Sequence, residues 1–149
     1  MKKSLVVLSL LALCGSPAVA QKKPAAKAKT VAVVPGVARA ALLPGKAIYA
    51  QNCLSCHQAD GGGVDSMNPP LAKTTWVLGD KTRLVKVLLN GMQGVDIDGE
   101  PYNNVMASHD FLTDQQIADV LTYVRNSFGN KASAVKATEV KAIRATAKK

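Results

Sequence analysis

Apolar side chains recur at helical spacing in the second half of the chain. Across "DKTRLVKVLLNG", residues 80–91, Leu84, Val85, Leu88 and Leu89 share one side, with Asp80 placed as an N-cap and Gly91 as the stop. The best helix follows Thr113. Ile117, Val120, Leu121 and Val124 repeat on one face, Thr113 and Gln116 form a capping-box pattern, and Gly129 ends it. A third helical segment, "KAIYAQNC", begins after Pro44-Gly45. Between these lie polar loops over residues 58–75 and 91–110, rich in Gly, Pro, Asn and Asp, with a tight turn expected at Asp98-Gly99. The "DIDGE" stretch is not an EF-hand loop, because the twelfth position counted from Asp96 is Ala107 rather than a carboxylate. The expected domain is therefore mostly α, built of three or more short helices.

The two ends read differently. Residues 1–20 carry Lys2 and Lys3, an apolar run over residues 5–13 and the small residues Ala18, Val19 and Ala20, the pattern of a cleaved secretory signal. The run is too short for a membrane span, which needs about 20 apolar residues. Export to the periplasm is the expectation, and Cys14 would leave with the signal. Residues 21–41 form a basic linker expected to be flexible, and residues 131–149 a basic C-terminal tail. The tail holds six basic groups against Glu139, while residues 41–130 hold six basic and nine acidic groups. A mildly acidic body with two basic arms, none of them interleaved with aromatic residues, excludes a nucleic-acid-binding domain. Both arms are expected to be solvated and disordered, their charge offering at most weak contact with an anionic membrane surface. In the second arm Val135, Val140 and Ile143 make only a thin apolar stripe.

The body, residues 42–130, is poor in material for a core: one Trp, three Tyr and two Phe serve a domain that spends much of its length on loops. A large apolar ligand would supply the missing centre. "CLSCH", residues 53–57, names one. Two thiols three residues apart can each bond a vinyl group of haem, and the adjacent His57 can take the iron from one side; this is the c-type haem attachment pattern. A thioredoxin-like dithiol would want a βαβ context that is missing, and a zinc site would want four ligands where the mature chain offers Cys53, Cys56, His57 and a distant His109. For the second axial position the candidates are Met67, Met92, Met106 and His109. Met67 is close in sequence to His57 for a chain that must pass round the haem edge. Met106, just before the strongest helix, is preferred, with Met92 and His109 as alternatives.

These residues resemble a class I cytochrome c domain, particularly the small monohaem cytochromes that serve periplasmic dehydrogenases, nitrite reductases and oxidases of bacteria. "GKAIYAQNCLSCH" resembles the family's first helix, with Gly45 and Tyr49 where that helix crosses the last; "LTDQQIADVLTYVRNSFGN" resembles the last, with Val120 and Tyr123 at the crossing. "NPPLA" resembles the loop whose proline carbonyl, here Pro69, receives the proximal imidazole N–H, with Leu71 against the haem. "YNNVM" resembles the distal methionine loop, and the resemblance brings Trp76 towards a haem propionate. Ala107 departs from the family, which often has proline after the ligand methionine, and this puts the stiffness of the Met106 loop in question. What the resemblance implies is a class I cytochrome c fold around one covalently bound haem c, with Cys53 and Cys56 as attachment points and His57 and Met106 as axial ligands. The implied function is a periplasmic one-electron carrier, monomeric, exchanging electrons with redox partner proteins and catalysing nothing at the metal. Two other readings stand beside it: a haem subunit of a larger dehydrogenase, nitrite reductase or terminal oxidase, and a sensor or enzyme binding a small ligand at the iron.

Overall fold

A computed structural model describes residues 37–147. The expected signal segment and most of the basic linker lie outside the described residues. The linker's end is ordered: residues Arg39–Leu42 make one 3-10 turn that leads directly into α1, Leu43–Asn52. Helix α1 starts earlier than its apolar pattern suggests, because Pro44 sits in the first turn, where a missing N–H costs nothing. A single turn, α2 (Leu54–His57), follows α1 almost without a break. Another short turn, α3 (Thr75–Leu78), was not expected from the sequence; Thr74 caps it by accepting a hydrogen bond from the Val77 amide.

Helix α4 (Lys81–Asn90) begins on the Asp80 carboxylate, which accepts from the Thr82 and Arg83 amides at 2.8 and 3.2 Å and is thereby held below the usual carboxylate range. Helix α5 (Asp114–Arg125) carries the full capping box: Thr113 Oγ1 accepts from the Gln116 amide, and Gln116 Oε1 accepts from the Thr113 amide. There is no sheet among the described residues, only isolated bridges such as Ile97 with Glu100. That bridge closes the expected Asp98-Gly99 turn, whose two central residues both have positive φ.

Helices α1 and α5 cross in direct contact. A Cβ at Gly45 would run into the Asp119 carbonyl and come within 2.7 Å of Tyr123 Cβ, so only glycine permits the approach. Of the residues expected at this crossing, Tyr123 lies against Gly45 itself, and Val120 is buried in the same cluster as Ile48 and Tyr49. The Tyr123 ring is 5.5 Å from that of Tyr49, the carbonyl at the closest approach belongs to Asp119, and Val120 also lines the interior cleft described below. Phe128 closes the aromatic group, 5.3 Å from Tyr49 and 5.7 Å from Tyr123. The Tyr49 hydroxyl donates to the Gln58 carbonyl at 2.6 Å, tying α1 to the residue after His57.

The C-terminal segment corrects the expectation of a solvated tail. Ala137–Thr146 form a helix, α6, packed on α4 and α5. The thin stripe suffices because α5 supplies a groove for it: Val140 is fully buried and Val135 nearly so. Polar contacts fix the register. Glu139 accepts from the Lys136 amide and pairs with Lys81 at 3.1 Å, and Arg144 pairs with Asp114 at 2.7 Å while donating to the carbonyls of Asp110 and Leu112. Arg125, buried at the end of α5, donates to the Val77, Gly79 and Ser133 carbonyls and so joins this extension to α3.

Gly45→Ala should cost roughly 3 kcal/mol of folding stability by urea denaturation, since the added methyl meets backbone rather than a movable side chain. Val140→Ala should cost about 2 kcal/mol. A loss near zero for the second substitution would mean that α6 does not pack in solution.

Candidate functional site

Three stretches of chain meet around a cleft of about 750 Å³, measured to its open mouth, between α4, α5 and the loops that follow α2 and α4. Its walls are apolar, including Leu84, Leu88, Leu112, Val120 and Leu121, most of them members of the buried core that the cleft enters. A second lobe of about 860 Å³ continues it towards the surface and shares with it Cys53, His57, Pro69, Met92, Met106 and His109.

Helix α1 delivers Cys53 at its C-cap, and α2 turns the next residues so that the Cys56 and His57 amides both return to the Cys53 carbonyl, at 3.2 and 2.9 Å. Cys53 is half-buried and Cys56 exposed, and both thiols are free. Burial, with a smaller contribution from Cys56, pushes the Cys53 thiol up to about 11. The two sulfurs therefore stand one turn apart on the cleft's outer lobe, unlinked to each other.

His57 is buried. Its Nδ1 lies 3.0 Å from the Pro69 carbonyl, and since a carbonyl can only accept, Nδ1 carries the proton. Nε2 is left as the lone-pair nitrogen, the tautomer a metal ligand needs. Burial lowers the imidazole's affinity for a second proton, against the opposing pull of the Pro69 carbonyl, and keeps the ring neutral. The loop that presents Pro69 is itself held: Leu71 N–H donates to Gly61 O at 2.7 Å, and Leu71 lines the cleft.

Trp76 also lines the cleft. The Arg83 guanidinium lies 4.2 Å from its ring centroid, and Arg83 Nε is buried with no hydrogen-bond partner among the described residues. Asp98 accepts from the Thr75 amide and hydroxyl, which anchors the turn at residues 98–99 to the start of α3 and draws the Asp98 carboxyl below its usual range.

Of the candidates for the second axial position, Met67 is exposed and lines neither lobe. Met92 and Met106 line both and are bridged to each other, amide to carbonyl at 2.9 Å in each direction. Gly91, at φ 74°, lets the two strands approach, since a Cβ there would strike the Met106 carbonyl. His109 turns both ring nitrogens to carbonyls, Nδ1 to Ala107 at 3.0 Å and Nε2 to Asn52 at 3.4 Å. A neutral ring has one N–H and so donates to only one of them, and His109 itself lines both lobes.

The donor set fits a covalently held haem. An apolar hollow, a neutral imidazole with one nitrogen fixed and one available, a thioether on a neighbouring strand and two unpaired thiols at the mouth are each what that group requires. Among the described residues no cluster of three or more His, Cys, Asp or Glu could hold a metal ion directly.

Sequence reasoning missed Asn130. Its buried amide donates to the Leu71 and Val124 carbonyls at 2.9 and 2.8 Å and accepts from the Lys73 amide at 2.7 Å, clamping the Pro69–Leu71 wall onto α5. Only its place just past the helix-ending Gly129 hinted at a structural asparagine. Arg83 was missed as well, because its Trp76 partner is in a different element.

The family model for cytochrome c matches residues 42–128. Cytochrome c-552 of Thermus thermophilus is 40% identical over 112 residues, covering 68% of this chain and 84% of that protein. The cytochrome c subunit of the quinone alcohol dehydrogenase of Gluconacetobacter polyoxogenes is 39% identical over 109 residues, 71% of this chain but 23% of that one. The gluconate 2-dehydrogenase cytochrome c subunit of Pantoea cypripedii is 34% identical over 104 residues, 67% of this chain and 24% of that one.

Asn130→Ala, which deletes three buried hydrogen bonds, should lower stability by about 3 kcal/mol in urea denaturation. A loss below about 1 kcal/mol would show that water replaces the amide without cost.

Proposed function

The chain belongs to the cytochrome c family, and on that footing we propose that it serves as a periplasmic one-electron carrier in which His57 and Met106 would ligate the iron and Cys53 and Cys56 would hold the macrocycle. Electron transfer through a covalently bound haem c is what the family does, and the chain is an electron-transfer protein rather than an enzyme. Bound haem supplies an iron that alternates between ferrous and ferric states. The protein's part is to hold that group still and dry. Pro69 fixes the His57 ring, the α4 and α5 side chains exclude water from the inner lobe, and Trp76 with Arg83 forms the wall to which a propionate would turn.

The observation that carries this reading is the His57 Nδ1–Pro69 carbonyl bond, which leaves Nε2 available beside an apolar cleft with two thiols at its mouth. His109 is disfavoured as second ligand because a carbonyl faces each of its ring nitrogens, Ala107 at 3.0 Å and Asn52 at 3.4 Å, and one of them takes its single N–H. Met106 is preferred over Met92, which also borders a separate groove on the outer side of α4. With His57 and Met106 both committed to the iron, the chain would leave no open position there for a substrate.

In this reading the partners are redox proteins, the chain is a monomer, and the layout is signal (residues 1–20), linker (21–41), haem domain (42–130) and a C-terminal extension (131–149). Among the described residues no helix is long and apolar enough to cross a membrane. Contact of the arms with an anionic surface would fall mainly to the first arm and to Lys131, Lys136 and Lys141, because Arg144 is engaged by Asp114. A second reading, a haem subunit within a larger dehydrogenase, is favoured by relatives that are named as such subunits and that this chain spans over about a quarter of their length. A stoichiometric dehydrogenase retained on purification from the native host would select it.

Met106→Ala, matured where haem is attached, should keep the covalent haem and lose the weak far-red absorption that a methionine–ferric iron bond produces. Persistence of that band would move the ligand to another side chain.

A further inference from the structure

The chain reaches the two sides of the cleft through two loops, and the structure joins those loops to each other. One loop turns at Ser66, held in the left-handed region at φ 58°, and closes with a bridge between Val64 and Asn68. It runs straight on to Pro69, whose carbonyl orients His57. The other contains Asn103 and Asn104 and runs on to Met106. Asn103 donates twice to the Ser66 carbonyl, from its amide at 3.0 Å and from Nδ2 at 2.9 Å. Asn104 donates from its amide to the Met67 carbonyl and from Nδ2 to Asn68 Oδ1, both at 3.1 Å. Four hydrogen bonds thus bind residues 66–68 to residues 103–104, two residues before Met106 and immediately before Pro69.

We infer that Asn103 and Asn104 are positioning residues: this clasp between the two loops holds the Met106 thioether on its side of the cleft. The inference rests on the assignment of Met106 above. The physical need is plain from Ala107, which lacks the fixed φ that a proline would give the strand after the ligand. The strand is instead restrained from three directions, by the clasp on its N-terminal side, by the bridge from Met106 to Met92, and by the His109 amide on the Leu88 carbonyl at 2.6 Å. Of these only the clasp runs through side chains, those of exposed Asn103 and Asn104; Asn103 lines neither lobe, whereas Asn104 and its partner Asn68 border the outer one.

An added ligand can reach the iron only in the fraction of molecules whose thioether has let go, so its apparent dissociation constant is the intrinsic one divided by that fraction. Removing two side-chain hydrogen bonds should raise the fraction about tenfold. Imidazole is the probe, titrated into the ferric holoprotein. Asn103→Ala/Asn104→Ala should keep its far-red band without imidazole and bind imidazole about tenfold more tightly than the parent. Asn68→Ala, which removes one acceptor, should give about threefold, and Asn68→Asp, which keeps it, the parent value. Val140→Ala, in α6, serves as a control for general destabilisation and should leave imidazole affinity unchanged.

Unchanged affinity in the double variant overturns the inference, as does an equal gain in Val140→Ala. If the double variant fails to mature, Asn68→Ala decides alone, and parent-like affinity overturns the clasp. Met106→Ala separates the two levels: a surviving far-red band there removes the ligand assignment, whereas a lost band with parent-like affinity in the clasp variants removes only the clasp.

Discussion

The crossing of α1 over α5 at Gly45 is the constraint on which the site depends, because α1 leads through its cap residue Cys53 straight into the turn that carries Cys56 and His57. With no side chain at residue 45, the helix backbones touch at the Asp119 carbonyl, and Tyr49, Tyr123 and Phe128 fill the space beside that contact. The other face of α5 then turns Val120, Leu121 and Val124 inward to the cleft. One close approach therefore sets both the position of the haem-binding turn and the wall opposite it. A bulkier residue at 45 would tilt α1 and move Cys53 and His57 together, which is why a backbone contact far from the iron bears on its ligation.

Local chemistry made much of this readable from residue types alone. The attachment motif occupies five consecutive positions, the α5 capping box four, and Asp80 lies beside the amides it caps, so each can be recognised without knowing what lies across the fold. The proximal carbonyl was assigned to Pro69 through resemblance, and its 3.0 Å contact with His57 has the geometry that role needs. What could not be read depends on partners remote in sequence. The Val135–Val140–Ile143 stripe looked too thin for a stable helix because an isolated helix must supply its own stability, whereas α6 borrows the back of α5. Asn130, Arg125 and Arg83 follow the same rule: each acts on carbonyls or a ring some distance along the chain, and no spacing betrays such a contact.

Polar groups at the ends of α5 knit the C-terminal extension to the haem domain. Arg125 reaches α3 at one end, and Arg144 caps the entry to α5 at the other by holding Asp114 and the Asp110 and Leu112 carbonyls. Both ion pairs of the extension are partly solvated and so modest individually. The buried valines provide the larger share, and the charged groups settle orientation. The matched family region ends at residue 128, so this buttress is built from chain beyond it.

The Tyr49 tether has a consequence for alkaline conditions. Burial, reinforced by Cys53, Tyr123 and Asp60, holds the phenol protonated well beyond a tyrosine's ordinary range, so its hydroxyl keeps donating to the Gln58 carbonyl. A folded-state value raised in this way leaves the tether's contribution whole below about pH 10, the unfolded value, and lets it fade only as the solution passes the folded one. Base thus has little purchase on the anchorage of the first helix, and the hinge joining it to the metal-binding turn should survive where a solvent-facing phenol would already have ionised.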